Sequence, residues 1–360
     1  MRNCFILLLL CGFLFSSCQT TAPIKLIEPK IDRVRFSLIY IIHGDGSYLY
    51  HDANGNPFYA DKEALRQAIS VAEHNTESEV SIFHLKRRKG LLGYLSQKDG
   101  DFYYYLGGRL FYKLAYSRKR NRLPFEIESS LFRKYTSEVT RSHNFLLYFG
   151  HQIPEFDGRK YHASYPCRKL TIENFSNGLK EFKVQREGEE HKFDLIVVST
   201  CYSGTPGVIK SLLPHARYII ASPNNLHLSY IYSSLFQSLD ELEYFDEYRF
   251  MKRVAGDAFE ELCRNTQTMI TISLYDTEKV APFLIDIEEY YCQIIEMLGS
   301  SRSIQPEPFD CGEDPFFSGK GIGEGVDVFY KPPKFGKEKD KLTHSGWNCW
   351  RLVQKGQEKS

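Results

Sequence analysis

The stretch from Asn144 to Ser222 constrains the fold more than any other part of the chain. It holds three continuous apolar runs: Asn144 to Gly150, Phe193 to Thr200 and Arg217 to Ser222. Between them lie a helix around Ile172 to Phe182 and another from Pro206 to Leu213. Strands that are apolar along their length and alternate with helices belong to a parallel sheet covered on both faces. In such sheets ligands and reactive groups gather at the carboxyl ends of the strands. Here those ends carry His151, Cys201 and Ser222.

The flanks extend this pattern. Phe36 to Ile42 reads as a buried strand stopped by His43-Gly44-Asp45-Gly46. Asp61 to Asn75 places Leu65, Ala68, Ile69 and Ala72 on one helical face, and Glu79 to Leu85 is a further short strand. Two aromatic runs between Phe102 and Tyr116 flank Gly107-Gly108, a hairpin signal. Basic clusters at Lys86-Arg87-Arg88-Lys89 and Arg118-Lys119-Arg120 bracket it and read as a solvated rim. Downstream, Asp240 to Asn265 reads as helical, Thr268 to Leu274 as a strand and Thr277 to Leu298 as one long amphipathic helix. After Gly299 the chain loosens, and the glycine-rich Gly319 to Gly325 reads as a flexible loop. The 360 residues are 42% hydrophobic, which excludes a disordered tail or a disulfide-dense miniprotein. With 46 basic against 45 acidic side chains, the chain has no general attraction to nucleic acid.

The N-terminus carries an address. Met1-Arg2-Asn3 is a short basic start, Phe5 to Phe15 an apolar run, and Ser16-Ser17-Cys18 a small-residue ending. This reads as a secretory signal too short for a comfortable membrane span. The ending resembles a bacterial lipobox, in which Cys18 becomes the lipidated first residue; a plain signal peptide cut nearby is the alternative. The expected plan is a signal over 1–17, a linker over 18–35, a main domain over 36–298 with a hairpin insertion near 86–122, and a C-terminal extension over 299–360. Six cysteines remain beyond Cys18: Cys167, Cys201, Cys263, Cys292, Cys311 and Cys349. None forms a CxxC pair, so no metal site is expected. Their even count would suit three disulfides, or fewer if one is a working thiol.

A thiol becomes a nucleophile only as the thiolate, which needs an imidazole or a helix N-terminus beside it. Cys201 ends a buried strand and begins the tight turn Cys201-Tyr202-Ser203-Gly204-Thr205-Pro206, with Pro206 suited to open a helix. His151 ends the preceding strand of the same βαβ unit. Consecutive parallel strands usually neighbour each other, so both side chains are expected at one edge. His43 is the rival base, as it also follows a strand and precedes a glycine. Backbone N–H groups of Cys201 and of the loop after His151 would hold an oxyanion.

Phe145-Leu146-Leu147-Tyr148-Phe149-Gly150-His151 and Leu195-Ile196-Val197-Val198-Ser199-Thr200-Cys201-Tyr202-Ser203-Gly204 resemble the His and Cys blocks of clan CD cysteine peptidases. Leu38 to Gly46, Ile219 to Ser222 and Thr271 to Val280 are similar to further blocks of the clostripain (C11) family, and the likeness runs from about Phe36 to Tyr330. The resemblance implies an α/β, caspase-like three-layer sandwich with a mainly parallel sheet. It also implies a Cys201–His151 dyad acting on proteins or peptides, and self-cleavage between the two blocks in relatives. Calcium enters by family analogy alone, and the chemistry needs no metal or organic cofactor. Two departures stand out. Gln152 follows His151 where the family has glycine, and Ser199 stands two residues before the nucleophile where the family often has an acid selecting Arg or Lys. Gln152, Ser199 and Ser222 are the oxyanion and pocket candidates, and a neutral pocket would not prefer cleavage after Arg or Lys. The expected protein is a cysteine endopeptidase of the cell envelope, anchored by lipid in a bilayer outside the cytoplasm, in the outer membrane. An inactive relative serving as a surface binding or assembly lipoprotein is the alternative.

Overall fold

The computed structural model describes residues 33–44, 49–51, 57–86, 98–117, 123–136, 140–156, 159–162, 165–182, 192–226, 230–300 and 304–354. The signal, Cys18, most of the linker and the basic clusters beyond Lys86 lie outside the described residues. In chain order the elements are β1 (Arg33–His43), the short pair β2 (Leu49–His51) and β3 (Pro57–Tyr59), α1 (Ala60–His74), β4 (Ser78–Leu85), β5 (Gly100–Leu106) and β6 (Arg109–Tyr116). There follow α2 (Glu126–Tyr135), β7 (Thr140–Phe149), β8 (Arg159–His162), β9 (Tyr165–Leu170), α3 (Ile172–Leu179), β10 (Phe193–Ser199), α4 (Pro206–Leu212) and β11 (Ala216–Ala221). The last are α5 (Glu247–Asn265), β12 (Ile270–Asp276), α6 (Thr277–Asp286), α7 (Glu288–Ser300), β13 (Ile304–Asp310), β14 (Val326–Lys331) and β15 (Asn348–Gln354).

Nine strands form one sheet in the order β14-β12-β11-β10-β7-β1-β4-β5-β6. The central five, β11-β10-β7-β1-β4, are mutually parallel, and antiparallel pairs finish both sides. Successive side chains of a strand point to opposite faces, so a run apolar throughout must be covered twice. One face carries Ile41, Leu146, Tyr148, Ile196 and Val198 against Phe175 of α3, Val208 and Leu212 of α4, and Phe283 of α6. The other carries Tyr40, Ile42, Phe145, Leu147 and Val197 against Ala64, Ala68 and Val71 of α1 and Met251 and Val254 of α5. This is the three-layer α/β sandwich expected from the alternation. Each such side chain withdrawn from water contributes about 1.5–3 kcal/mol. The β5–β6 turn places Gly107 at φ 58° and Gly108 at φ 75°, the left-handed pair that a two-residue hairpin needs.

The structure departs from the sequence reading in the last third. The segment from Asp240 is not one helix: a 3-10 helix over Ser234–Glu241 ends there, and the α-helix starts at Glu247, where Asp246 accepts the Arg249 N–H and caps α5. The single helix expected over Thr277 to Leu298 is two, broken at Ile287. The apolar stripe of α6 (Val280, Phe283, Leu284) faces the sheet, whereas Tyr291 and Leu298 of α7 pack on Trp350. One straight axis cannot serve both partners. Beyond Gly299 the chain is not loose. β14 completes one edge of the main sheet, and β13 pairs with β15 next to a Cys311–Cys349 disulfide. That is the one disulfide among the described residues, and Cys201, Cys263 and Cys292 stand outside it as thiols. No helix among the described residues is long and apolar enough to cross a membrane.

Candidate active site

Cys201 opens a turn that is held from several sides. Tyr202 adopts φ +50°, a left-handed conformation that costs a side-chain-bearing residue about 1–2 kcal/mol. Three backbone hydrogen bonds to the end of β11 hold it there: Tyr202 N–H to Asn224 O at 3.1 Å, and Ser203 and Gly204 N–H to Ser222 O at 2.8 and 3.0 Å. The Ser203 hydroxyl lies 3.0 Å from both Val198 O and Thr200 O. Gly204 is required sterically, because a Cβ there would lie 2.5 Å from the Tyr275 hydroxyl and 2.8 Å from Pro223 N. Thr205 then accepts the Val208 N–H and Pro206 starts α4.

His151 leaves the neighbouring strand. β7 and β10 are parallel with Phe149 opposite Ser199, so His151 and Cys201 each lie two residues past that pair, at one edge. The Gly150 N–H donates to Ser199 O at 3.3 Å and ties the strand ends together. His151 is exposed and Gln152 half-buried. His43 ends β1, which lies beyond β7 as seen from β10. At the spacing of paired strands its backbone is about 10 Å from that of Cys201, against about 5 Å for His151. The His43 ring is buried, with Nδ1 3.1 Å from the Tyr148 hydroxyl and the two rings edge to face.

The predicted serines brace loops. The Ser199 hydroxyl is fully buried and accepts the Ile231 N–H at 2.6 Å. The Ser222 hydroxyl bonds within its own turn to the N–H and carbonyl of Asn224. What meets the nucleophile candidate is Asn225, whose Oδ1 accepts the Cys201 thiol hydrogen at 3.2 Å. Nothing in the sequence singled out Asn225, because Pro223-Asn224-Asn225 has the composition of an ordinary turn.

Glu155 is a second residue that the sequence did not flag. It follows His151 by four positions and accepts from the Tyr291 hydroxyl at 2.6 Å and the Trp350 indole N–H at 2.8 Å. Burial pushes its carboxyl above the usual range, with hydrogen bonds from Tyr291, Thr205 and Trp350 opposing the shift. Trp350 also packs against Tyr202 and Phe156, with ring centres 5.8 and 5.9 Å apart. Glu155 therefore joins the loop after His151 to the turn after Cys201, through α7 and β15.

One group among the described residues has the makings of a cation site. His143, Asp194 and Glu247 bring ligand atoms within 4.8 Å of one another. They lie at the amino ends of β7, β10 and α5, the opposite edge from Cys201. The Arg217 guanidinium stands 3.3 Å from Glu247 and 3.9 Å from Asp194, supplying the positive charge that two carboxylates call for.

No protein-family model matches the chain, and no curated protein sequence matches it. Solved structures match its shape. An inactive zymogen C11 protease from Parabacteroides distasonis is 14% identical with a TM-score of 0.55, over 92% of this chain and 94% of that one. A secreted C11 cysteine protease from Bacteroides thetaiotaomicron, iotapain, is 14% identical with a TM-score of 0.58, over 88% and 93%. A secreted C11 cysteine protease from the same organism, bound to an irreversible peptide inhibitor, is 10% identical with a TM-score of 0.55, over 90% of each chain. The fold is thus the caspase-like fold of the C11 proteases.

Proposed function

We propose that the chain is a clostripain-like cysteine endopeptidase working outside the cytoplasm, with Cys201 as nucleophile and His151 as its acid–base partner. The register of β7 against β10 carries this reading, since it sends both residues from adjacent strand ends. His151 takes the thiol proton and the Cys201 sulfur attacks the scissile carbonyl. His151 then returns the proton to the departing amine, leaving an acyl-enzyme that water hydrolyses to the acid and free thiol. The N–H groups of Cys201 and Gln152 are the oxyanion donors in this scheme. The pinned, strained turn at Tyr202 supports it, because such a turn holds a nucleophile clear of its strand.

Ser199 stands two residues before Cys201, where an acid would select a basic side chain, so cleavage after Arg or Lys is not favoured in this reading. Lipid attachment at Cys18 of the signal would hold the enzyme at a membrane of the envelope. The Cys311–Cys349 disulfide accords with an oxidising compartment.

The test is cleavage of a diverse peptide mixture by the soluble chain starting near Thr20, beside Cys201→Ala, His151→Ala and His43→Ala. Cuts lost with Cys201→Ala, reduced about 10²–10⁴-fold with His151→Ala and kept with His43→Ala are expected. Cuts that survive Cys201→Ala would refute the proposal. No cuts from the folded wild type would leave the binding lipoprotein as the better account.

A further inference from the structure

A cleft of about 300 Å3 opens beside Cys201, with Asn224 and Asn348 lining it inside and Asn225 exposed at its mouth. Since Asn225 accepts the Cys201 thiol hydrogen, the cleft begins one hydrogen bond from the sulfur. Three observations decide its chemistry.

Asn348 is 2% exposed, and its Nδ2 is buried with no hydrogen-bond partner among the described residues. Its backbone N–H is already engaged with Gly204 O at 2.9 Å. A buried donor without an acceptor costs about 1–3 kcal/mol, which a ligand oxygen there would recover. Asn224 offers the complement: its Oδ1 accepts from the Thr271 hydroxyl, and a carbonyl oxygen has two lone pairs.

The buried carboxylate of the cleft, Asp310, is already satisfied. Asp310 accepts from Lys341 Nζ at 2.8 Å, Gly312 N–H at 3.0 Å and Ser345 N–H at 3.2 Å. Lys341 in turn pairs with Glu313 at 2.6 Å. Among the described lining residues, a substrate cation would find the exposed Glu338 without a lysine partner, and a substrate carboxylate would face Asp310. Tyr202 and Phe309 line the cleft and offer apolar surface to a short methylene stem.

We propose that this cleft is a subsite for an uncharged carboxamide side chain, that of glutamine or asparagine in a peptide. Its oxygen takes the Asn348 amide and its NH2 group donates to Asn224. The role of that residue as neighbour of the cleaved bond rests on the peptidase reading; the binding itself does not.

The experiment separates the two. Fluorescein-labelled peptides differing at one position (Gln, Asn, Leu, Lys or Glu) are titrated into the full chain carrying Cys201→Ala. The Gln or Asn peptide is expected to bind at least about tenfold tighter than the Leu, Lys and Glu peptides. In the Cys201→Ala background, Asn348→Asp keeps shape and backbone hydrogen bond and should abolish that preference. Equal affinities, tighter Lys or Glu binding, absence of any binding, or a preference that survives in a folded Asn348→Asp protein would each overturn the subsite. The ranking on the Asn348 chain stands as a test even if Asn348→Asp fails to fold. The same peptides are then offered to the Cys201 chain. Selective binding without cleavage would refute the peptidase reading and keep the subsite. Cleavage without carboxamide preference would do the reverse.

Discussion

Glu155→Ala should destabilise the fold where the two halves of the candidate site meet. The substitution leaves the Tyr291 hydroxyl and the Trp350 indole N–H without their acceptor. Two buried donors left unpaired cost about 1–3 kcal/mol each, and removing a carboxylate that burial disfavours returns part of this. A net loss of about 3 kcal/mol follows, which in a chain of 360 residues lowers Tm by about 4 °C. Glu155→Gln keeps the shape and one acceptor oxygen, so its loss should be smaller, about 1 kcal/mol. Thermal unfolding followed by tryptophan fluorescence reads both variants, since Trp347 and Trp350 are the only tryptophans in the chain. The pH dependence gives a second check. Burial raises the Glu155 pKa above 4.5, so the folded state binds its proton more tightly than the unfolded chain. Stability attributable to Glu155 must then rise as pH falls through the raised pKa towards 4.5, and be lowest above it. Glu155→Gln lacks this gain, so the wild type's advantage over it should be larger near pH 5 than near pH 8. A Glu155→Ala protein that unfolds at the wild-type temperature would refute the argument that this carboxyl ties the loops together.

Three further outcomes follow from the same structure. Replacing Cys311 and Cys349 together with serine opens a crosslink spanning 38 residues, for an expected loss of about 4 kcal/mol in denaturant unfolding. Burial lowers the His344 pKa to about 4, so the folded state keeps it neutral and the unfolded state protonates it first. Its contribution is complete above pH 6.5 and is lost as pH falls towards 4, and His344→Gln should flatten that part of the stability–pH curve. Gly204→Ala pushes a methyl group against Pro223 backbone and the Tyr275 hydroxyl, and a fall in Tm of several degrees is expected.

The sheet and the edge that carries Cys201 and His151 were legible because their signal is local. β1, β4, β7, β10 and β11 are short apolar runs buried on both faces, and such runs declare themselves without knowledge of their partners. Parallel neighbours joined by helices then bring Cys201 and His151 to one edge. Glu155 and Asn225 were not legible, because their roles depend on residues that the sequence does not bring near. Glu155 meets Tyr291 across 136 positions and Trp350 across 195. Ser199 and Ser222 show the converse. Position near the strand ends marked them as pocket candidates, but each hydroxyl is occupied by a backbone group of a loop that must be held.

The segment beyond Gly299 explains how a site at one sheet edge acquires walls. β13 carries two prolines and β14 is six residues long, so neither has the apolar continuity that announces a strand. Their order comes from contacts made elsewhere. The Asn348 N–H bonds Gly204 O in the turn after Cys201, Trp350 bonds Glu155 in the loop after His151, and the Trp347 indole N–H bonds Ile322 O at 2.8 Å. The disulfide fixes Cys349 between Asn348 and Trp350, so one crosslink holds both contacts to the edge that carries Cys201 and His151. A change that frees β15 therefore acts on the Cys201 turn and the His151 loop together, though the strands that bear them stay paired.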